Sequence, residues 1–229
     1  MQLYIGNKNY SSWSMRPWVL MTQAGIDFDE VLLRFDAFTA ESRFKREARK
    51  VNPAGRVPVL VDDGFAVWDT LAIAEYLAEK YPDMQLWPTQ RLARARARSL
   101  CAEMHSGFGA LRSHCPMNVE APLAEVGARL MREQPALQRD LARMVQMWET
   151  QLREHGGPFL FGDFCIADAF FAPVCVRITA YGLPVSDVAA AYVERIYALP
   201  AMRRWVEEAL AEHDFLDYDE PYRKASATQ

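Results

Sequence analysis

The stretch from Asn52 to Tyr81 constrains this chain more than any other part of it. It runs from the loop Asn52-Pro53-Ala54-Gly55-Arg56 into Val57-Pro58, then through Val59-Leu60-Val61, Asp62-Asp63-Gly64 and Phe65-Ala66-Val67-Trp68 to Asp69-Thr70. A proline cannot donate to a sheet ladder, so Pro58 belongs at the first residue of a strand or on an edge. A cis Val57-Pro58 bond, which only proline makes affordable, would turn the chain sharply and leave the N–H and C=O of Val57 unpaired and facing outward. Such an edge accepts an extended peptide as an added strand. The Asp-Gly step between two apolar runs is a hairpin signal. Behind it Leu71, Ala74, Leu77, Ala78 and Tyr81 keep helical spacing, and Asp69 stands where an N-cap belongs. The free N–H groups at such a helix start bind a carboxylate. Each segment alone is an ordinary turn, strand and capped helix. At this spacing the two outline a site that holds a peptide-like ligand through backbone atoms.

The neighbouring patterns extend this unit. Gln2-Leu3-Tyr4-Ile5 alternates as a strand does, and Val31-Leu32-Leu33 is a second short apolar run. Between them Ser14 to Ala24 is helical, with Met15, Trp18, Val19 and Thr22 on one face and Gly25 at its end. The order β-α-β-α-β-β-α predicts a mixed α/β sheet with helices packed on it. After Tyr81 the stretch to Thr89 carries two prolines and no helical period, which marks a linker. Beyond it strand-like alternation ends. Leu100, Met104, Phe108 and Leu111 keep helical spacing, as do Leu137, Leu141, Met144, Val145, Trp148 and Leu152. The expected organisation is therefore a first domain over residues 1–81, a linker over 82–89 and an all-helical domain over 90–229. No internal repeat or low-complexity segment interrupts it.

Composition excludes several function classes. With 229 residues, 51% of them apolar, the chain suffices for two packed domains. A net charge of −4 offers no general attraction to nucleic acid or to an anionic membrane, so neither is an expected partner. The start Met1-Gln2-Leu3-Tyr4-Ile5-Gly6-Asn7-Lys8 lacks a signal-peptide pattern, and no segment approaches bilayer-spanning length; a cytoplasmic location is expected. Cys101, Cys115, Cys165 and Cys175 form no C-x-x-C pair, and the four histidines form no H-x-x-x-H, so no metal is expected. The cysteines read as buried thiols in a reducing compartment.

Asn52 to Leu60, followed by Trp68-Asp69-Thr70-Leu71-Ala72-Ile73-Ala74-Glu75-Tyr76-Leu77, resembles the glutathione-binding half of the cytosolic glutathione transferases. The resemblance implies a thioredoxin-like N-terminal domain plus an all-α C-terminal domain, a homodimer, and glutathione as cosubstrate without other cofactor. It implies that Pro58 is cis, that Val57 pairs with the cysteinyl backbone of glutathione, and that Asp69 and Thr70 hold its γ-glutamyl end. Gly162-Asp163-Phe164-Cys165-Ile166-Ala167-Asp168 through Pro173 resembles the capping box and hydrophobic staple that open the central helix of the family's C-terminal domain. There Asp168 is present, but Cys165, a poor acceptor, replaces the usual Ser or Thr cap, a weakening expected to cost about 1 kcal/mol.

Thiol chemistry needs a donor that stabilises the thiolate. In Asn9-Tyr10-Ser11-Ser12-Trp13-Ser14-Met15-Arg16-Pro17-Trp18, hydroxyls cluster where a helix start adds partial positive charge, so Ser11, Ser12 or Ser14 could serve, or cap the helix. The segment is similar to the Ser-Ser-Cys-Ser-x-Arg motif of zeta-class transferases, the maleylacetoacetate isomerases. That likeness implies Ser11 as the activating hydroxyl, Ser12 as a supporting donor and Arg16 in the place of the motif's arginine. Trp13 replaces the motif's cysteine and counts against isomerase chemistry. Tyr4 and Tyr10 are rival donors, Tyr10 the stronger because Tyr4 lies within a strand. With no cysteine in the segment, activated glutathione attacking a small electrophile is favoured over thiol–disulfide exchange. The electrophile pocket is expected from His105, Phe108, Arg112, Met117 and Arg177, although Phe108 and Met117 also suit a core and His105 a packed surface. Arg91, Arg94 and Arg98 share one helical face, solvated or bordering a dimer interface. The expected function is a glutathione transferase, with a glutathione-dependent isomerase and a non-catalytic glutathione-binding scaffold as alternatives.

Overall fold

A computed structural model describes residues 1–37 and 39–223 of the chain. Four short strands, β1 (Gln2–Ile5), β2 (Asp29–Leu32), β3 (Val59–Asp62) and β4 (Phe65–Trp68), form one sheet in the order β2-β1-β3-β4. β1 runs parallel to β2, with Gln2 opposite Asp29, and antiparallel to β3, with Leu3 opposite Leu60. β3 returns antiparallel into β4 through Asp63 and Gly64, both at positive φ as a two-residue hairpin turn requires. Helix α1 (Ser12–Ala24) joins β1 to β2, α2 (Arg43–Arg49) precedes β3, and α3 (Thr70–Lys80) follows β4. The strand–helix order is the one expected from the sequence. β2, however, begins at Asp29, ahead of the apolar run that marked it. It pairs only with β1, and its first two residues, Asp29 and Glu30, are exposed, so its start carries no apolar signal.

After α3 the regular structure of the described residues is helical: α4 (Arg91–Ser106), α5 (Gly109–His114), α6 (Ala124–Glu133), α7 (Pro135–His155), α8 (Ile166–Tyr181), α9 (Asp187–Ala198) and α10 (Pro200–Leu210). Two isolated bridges, Phe159 to Gly162 and Phe161 to Asp163, tighten the turn before α8. All of α8 except Thr179 and Ala180 is buried, as a helix that is apolar all round must be. It packs against α1, α4, α6 and α9, so a single core runs through the sheet-side helices and the helical part. Its start is better made than the sequence implied. Asp168 accepts the N–H of Cys165 at 3.0 Å, and the Cys165 sulfur faces the N–H of Asp168, so both halves of the capping box are present.

The proline-rich stretch after α3 is anchored to both sides. Pro82–Met84 make one 3-10 turn, Leu86 and Trp87 are buried in the shared core, and the Leu86 carbonyl accepts the N–H of Ile166 at 2.9 Å. Arg98 of α4 forks onto Glu75 of α3 at 2.8 and 2.9 Å, so part of the arginine face expected to be solvated ties two helices together. Among the described residues no helix is long and apolar enough to cross a membrane.

Candidate functional site

A cleft of about 710 Å³ opens between the sheet's loops and α4. Its lining includes Tyr10 to Trp13 at the start of α1, Val57-Pro58 before β3, Asp69-Thr70 at the start of α3, His105 from α4 and Asp219 from the C-terminal tail.

Two helix starts face this space. Ser11 is the N-cap of α1, where its Oγ accepts the N–H of Ser14 at 3.4 Å and lies 2.7 Å from Ser14 Oγ. A polar atom there sits at the positive end of the helix dipole. Ser12 Oγ accepts a hydrogen bond from the Arg177 guanidinium at 3.3 Å. At the second start, Asp69 caps α3 by accepting the N–H of Leu71 at 2.9 Å, and its other oxygen lies 3.3 Å from His105 Nε2. Asp69 adopts φ 76° and ψ 135°, outside the left-handed helical region and strained for any residue with a side chain. The Thr70 hydroxyl is buried and has no hydrogen-bond partner among the described residues. A buried unpaired hydroxyl is costly, and this one borders the cleft.

The Val57-Pro58 bond is cis, as expected, and so is Gly157-Pro158, which no sequence signal had singled out. β3 begins at Val59, so the N–H and C=O of Val57 stand outside the ladder.

Seven of the expected site residues therefore share one cleft: Ser11, Ser12, Val57, Pro58, Asp69, Thr70 and His105. Phe108, Arg112, Met117 and Arg177 do not line it. Phe108 is buried in the turn that opens α5, and Met117 is buried in the core. Arg112 donates to the His105 carbonyl at 3.2 Å and sits 5.8 Å from the Trp13 ring, behind the wall. Arg177 is buried within α8, donating to the carbonyls of Cys115 at 2.8 Å and Pro173 at 3.1 Å as well as to Ser12. Burial brings its pKa down to about 10. It is a support for Ser12. Helical spacing had marked only Phe108 of these four as facing inward, and it does not say which inward side chains meet the gap between the two halves.

The rival tyrosines are engaged elsewhere. Tyr10 donates its hydroxyl to Glu220 at 2.9 Å, with the Asp214 carbonyl at 3.0 Å, and burial together with Glu220 pushes its pKa up to about 12. Tyr4 points its hydroxyl at Gln2, 3.4 Å away, and does not line the cleft.

Residues missed by sequence reasoning complete the lining. Lys45 and Arg56 add positive charge, and Lys45 also donates to the Gly55 carbonyl at 2.8 Å. Their only advance sign was a pair of basic residues near the Asn52–Pro58 loop. Asp219 gave none; burial, with the charge of Glu220 beside it, raises its carboxyl to about 6. Trp13, noted only as a departure from a motif, forms part of the wall and meets His105 edge-on with ring centres 5.0 Å apart. Beneath it Arg16 is buried 4.3 Å from the Trp13 ring centre and 5.0 Å from that of Phe170, its pKa lowered to about 9 chiefly by burial. All four cysteines are buried, and burial raises each thiol pKa, that of Cys115 to about 12. None is a ready nucleophile.

The family model for the glutathione S-transferase N-terminal domain matches residues 10–80, and that for the glutathione S-transferase C-terminal domain matches residues 93–208. The chain is 30% identical over 184 residues to a zeta-class glutathione S-transferase of Euphorbia esula, covering 77% of this chain and 76% of the relative. It is 26% identical over 186 residues to a probable maleylacetoacetate isomerase of Caenorhabditis elegans, covering 80% and 81%. Among solved structures it resembles a glutathione transferase homologue from Burkholderia with bound glutathione, at a TM-score of 0.68 and 29% identity over 92% of this chain and 98% of that one.

Proposed function

Because the chain belongs to the glutathione S-transferase family, we propose that its cleft binds glutathione through Val57, Pro58, Asp69 and Thr70 and that the Ser11 hydroxyl activates the bound thiol. The chain is a glutathione transferase with zeta-class relatives. The observation that carries the site assignment is the meeting, in one cleft, of an unladdered backbone edge, a capped helix start with an unpartnered buried hydroxyl, and a serine at a second helix start.

Glutathione carries one ammonium and two carboxylates, and the cleft has a complement for each. Asp69 pairs with the γ-glutamyl ammonium; the Thr70 hydroxyl and the α3 N–H groups receive its carboxylate. The Val57 backbone pairs with the cysteinyl residue as an added strand. Lys45 and Arg56, which line the cleft, would meet the glycine carboxylate. The thiol then stands by Ser11. Its S–H bond breaks, the proton leaves to solvent, and the thiolate remains, held by the Ser11 O–H and the α1 dipole. The thiolate lone pair attacks an electrophilic carbon lying against Trp13 and His105, forming the C–S bond as a leaving group departs with its bonding pair, or as an activated double bond opens and its far carbon takes a proton from solvent. Ser12, fixed by Arg177, is a supporting donor.

Glutathione-dependent isomerisation is the second reading, favoured by the isomerase relative and by the Ser-Ser pair, and a glutathione-binding scaffold without turnover is a third. The finer assignments, a small electrophile, a cytoplasmic location and a homodimer, belong to the same proposal. Phe65 on β4 and Leu92 on α4 are exposed apolar side chains that such an interface could use.

The test is Ser11→Ala, assayed with a panel of electrophiles and maleylacetoacetate-like acids beside retention on immobilised glutathione. Loss of one charge-assisted hydrogen bond, about 1.5–3 kcal/mol, should slow turnover roughly ten- to hundredfold with retention intact. An unchanged rate, with a large loss in Ser12→Ala or Tyr10→Phe, would move the role off Ser11. Retention of the wild-type protein without turnover of any compound would favour the scaffold.

A further inference from the structure

Ser14 stands one hydrogen bond behind Ser11, outside the cleft and fully buried. Its Oγ accepts the N–H of Gly6 at 3.0 Å and lies 2.7 Å from Ser11 Oγ; among the described residues its hydroxyl has no other hydrogen-bond partner. A hydroxyl has one proton and two acceptor sites. If Ser11 donates to Ser14, Ser11 has no proton left for a sulfur. If Ser14 donates to Ser11, the Ser11 proton is free to point into the cleft, while Ser14 stays satisfied by Gly6. The two arrangements differ only in the rotation of two O–H bonds. Negative charge on a bound sulfur favours the second, because each donor in such a chain polarises the next.

We propose that Ser14 is a positioning residue for thiol activation, forming with Gly6 and Ser11 a hydrogen-bond relay that runs from a backbone N–H through two hydroxyls to the sulfur of glutathione. No proton is transferred along it. The thiol proton leaves to solvent and both serines keep their own. The backbone end of the relay is packed against the cleft wall: a methyl group at Gly6 would fall 2.1 Å from Cζ of Phe35, so a larger residue there would have to displace that ring. Ser11 alone would be a donor that its own neighbour could capture. Ser11 Oγ is the one acceptor the buried Ser14 O–H has among the described residues, and once Ser14 donates to it the Ser11 proton is turned toward the ligand.

The relay rests on the assignment of Ser11, and a double-mutant cycle separates the two. The measurements are the pH titration of the thiolate absorbance of protein-bound glutathione, and kcat and KM for glutathione with one electrophile. Ser14→Ala should move the thiol titration to higher pH and lower kcat roughly three- to tenfold with little change in KM. Ser14→Thr, which keeps the hydroxyl, should restore both. Because the relay acts through Ser11, adding Ser14→Ala to Ser11→Ala should change the titration no further. A wild-type titration and kcat in Ser14→Ala, with Ser11→Ala impaired, overturns the relay and leaves Ser11 standing. Fully additive losses in the double variant also overturn it. An unchanged titration in Ser11→Ala removes both assignments together. Should Ser14→Ala lose its fold by circular dichroism, Ser14→Cys carries the same test, since a thiol fills similar space but donates weakly, and it should give a smaller upward shift.

Discussion

Asp69 shows how much one residue is asked to do here. It caps α3, holds a positive φ, reaches His105 and, in the proposed site, receives the ligand's ammonium. These roles come apart by substitution. Asp69→Asn keeps the capping oxygen and the side-chain shape, so it should raise the glutathione KM while leaving the melting temperature nearly unchanged. Asp69→Ala should do both kinds of damage, lowering stability by about 0.5–2 kcal/mol. Thr70→Ala leaves the cap in place and removes an unpaired buried hydroxyl, so it should raise KM with no loss of stability. Steady-state kinetics at varied glutathione beside a thermal melt decides this; unchanged affinity in all three variants would reduce Asp69-Thr70 to a helix start. These two residues were legible in the sequence because cap and ligand site are the same local feature. Arg177 was not, since its role as a brace for Ser12 depends on a helix far along the chain.

At the scale of the element, α8 organises the molecule, and Asp168 is the polar group its burial must accommodate. The carboxylate is fully buried and accepts from the N–H groups of Leu160 at 3.1 Å and Cys165 at 3.0 Å and from the Tyr192 hydroxyl at 2.9 Å. Burial outweighs these bonds and raises its pKa to about 6. The folded state thus holds this proton more tightly than the unfolded chain does. Its contribution to stability is fully present below about pH 4 and is lost as pH rises through about 6, a decline of about 3 kcal/mol from this group. Asp168→Asn cannot titrate. The stability difference between wild type and this variant, from urea denaturation at successive pH values, should therefore fall between pH 4 and 6 and then level. A difference that rises over that range would contradict the assignment. The variant should also be less stable throughout, because an amide cannot accept all three donors.

Across the whole molecule, the sheet side and the helical side are joined by Lys8 as well as by the shared core. Its buried ammonium pairs with Glu30 of β2 at 2.7 Å and with Glu208 of α10, and lies 4.9 and 5.7 Å from the ring centres of Trp18 and Trp205. Lys8→Ala leaves Glu30 without its cation and close to Glu208, which keeps only Arg204 at 2.7 Å. It should cost about 2–3 kcal/mol in urea denaturation, the glutamates being partly hydrated, and Glu208→Gln in the same chain should recover part of that. No recovery would mean that packing on the tryptophans, and not charge, is what Lys8 supplies. Neither this strut nor the engagement of Tyr10 by Glu220 had a sequence signal, for each joins residues about two hundred positions apart. What the sequence by itself determined were the features made by neighbours: strand order, the hairpin turn, the capped starts of α1 and α3, and the apolar faces. These are legible because hydrogen bonds and side-chain contacts within one turn or one strand pair depend on a few adjacent residues. Only the tertiary structure decided that His105 reaches the cleft while Phe108, Arg112 and Arg177 stand behind it, and that Lys45 and Asp219 join the lining. Those outcomes are set by how α8 packs on α1 and α4 and by where α2 and the C-terminal segment come to lie, a sum over many distant contacts that no local pattern carries.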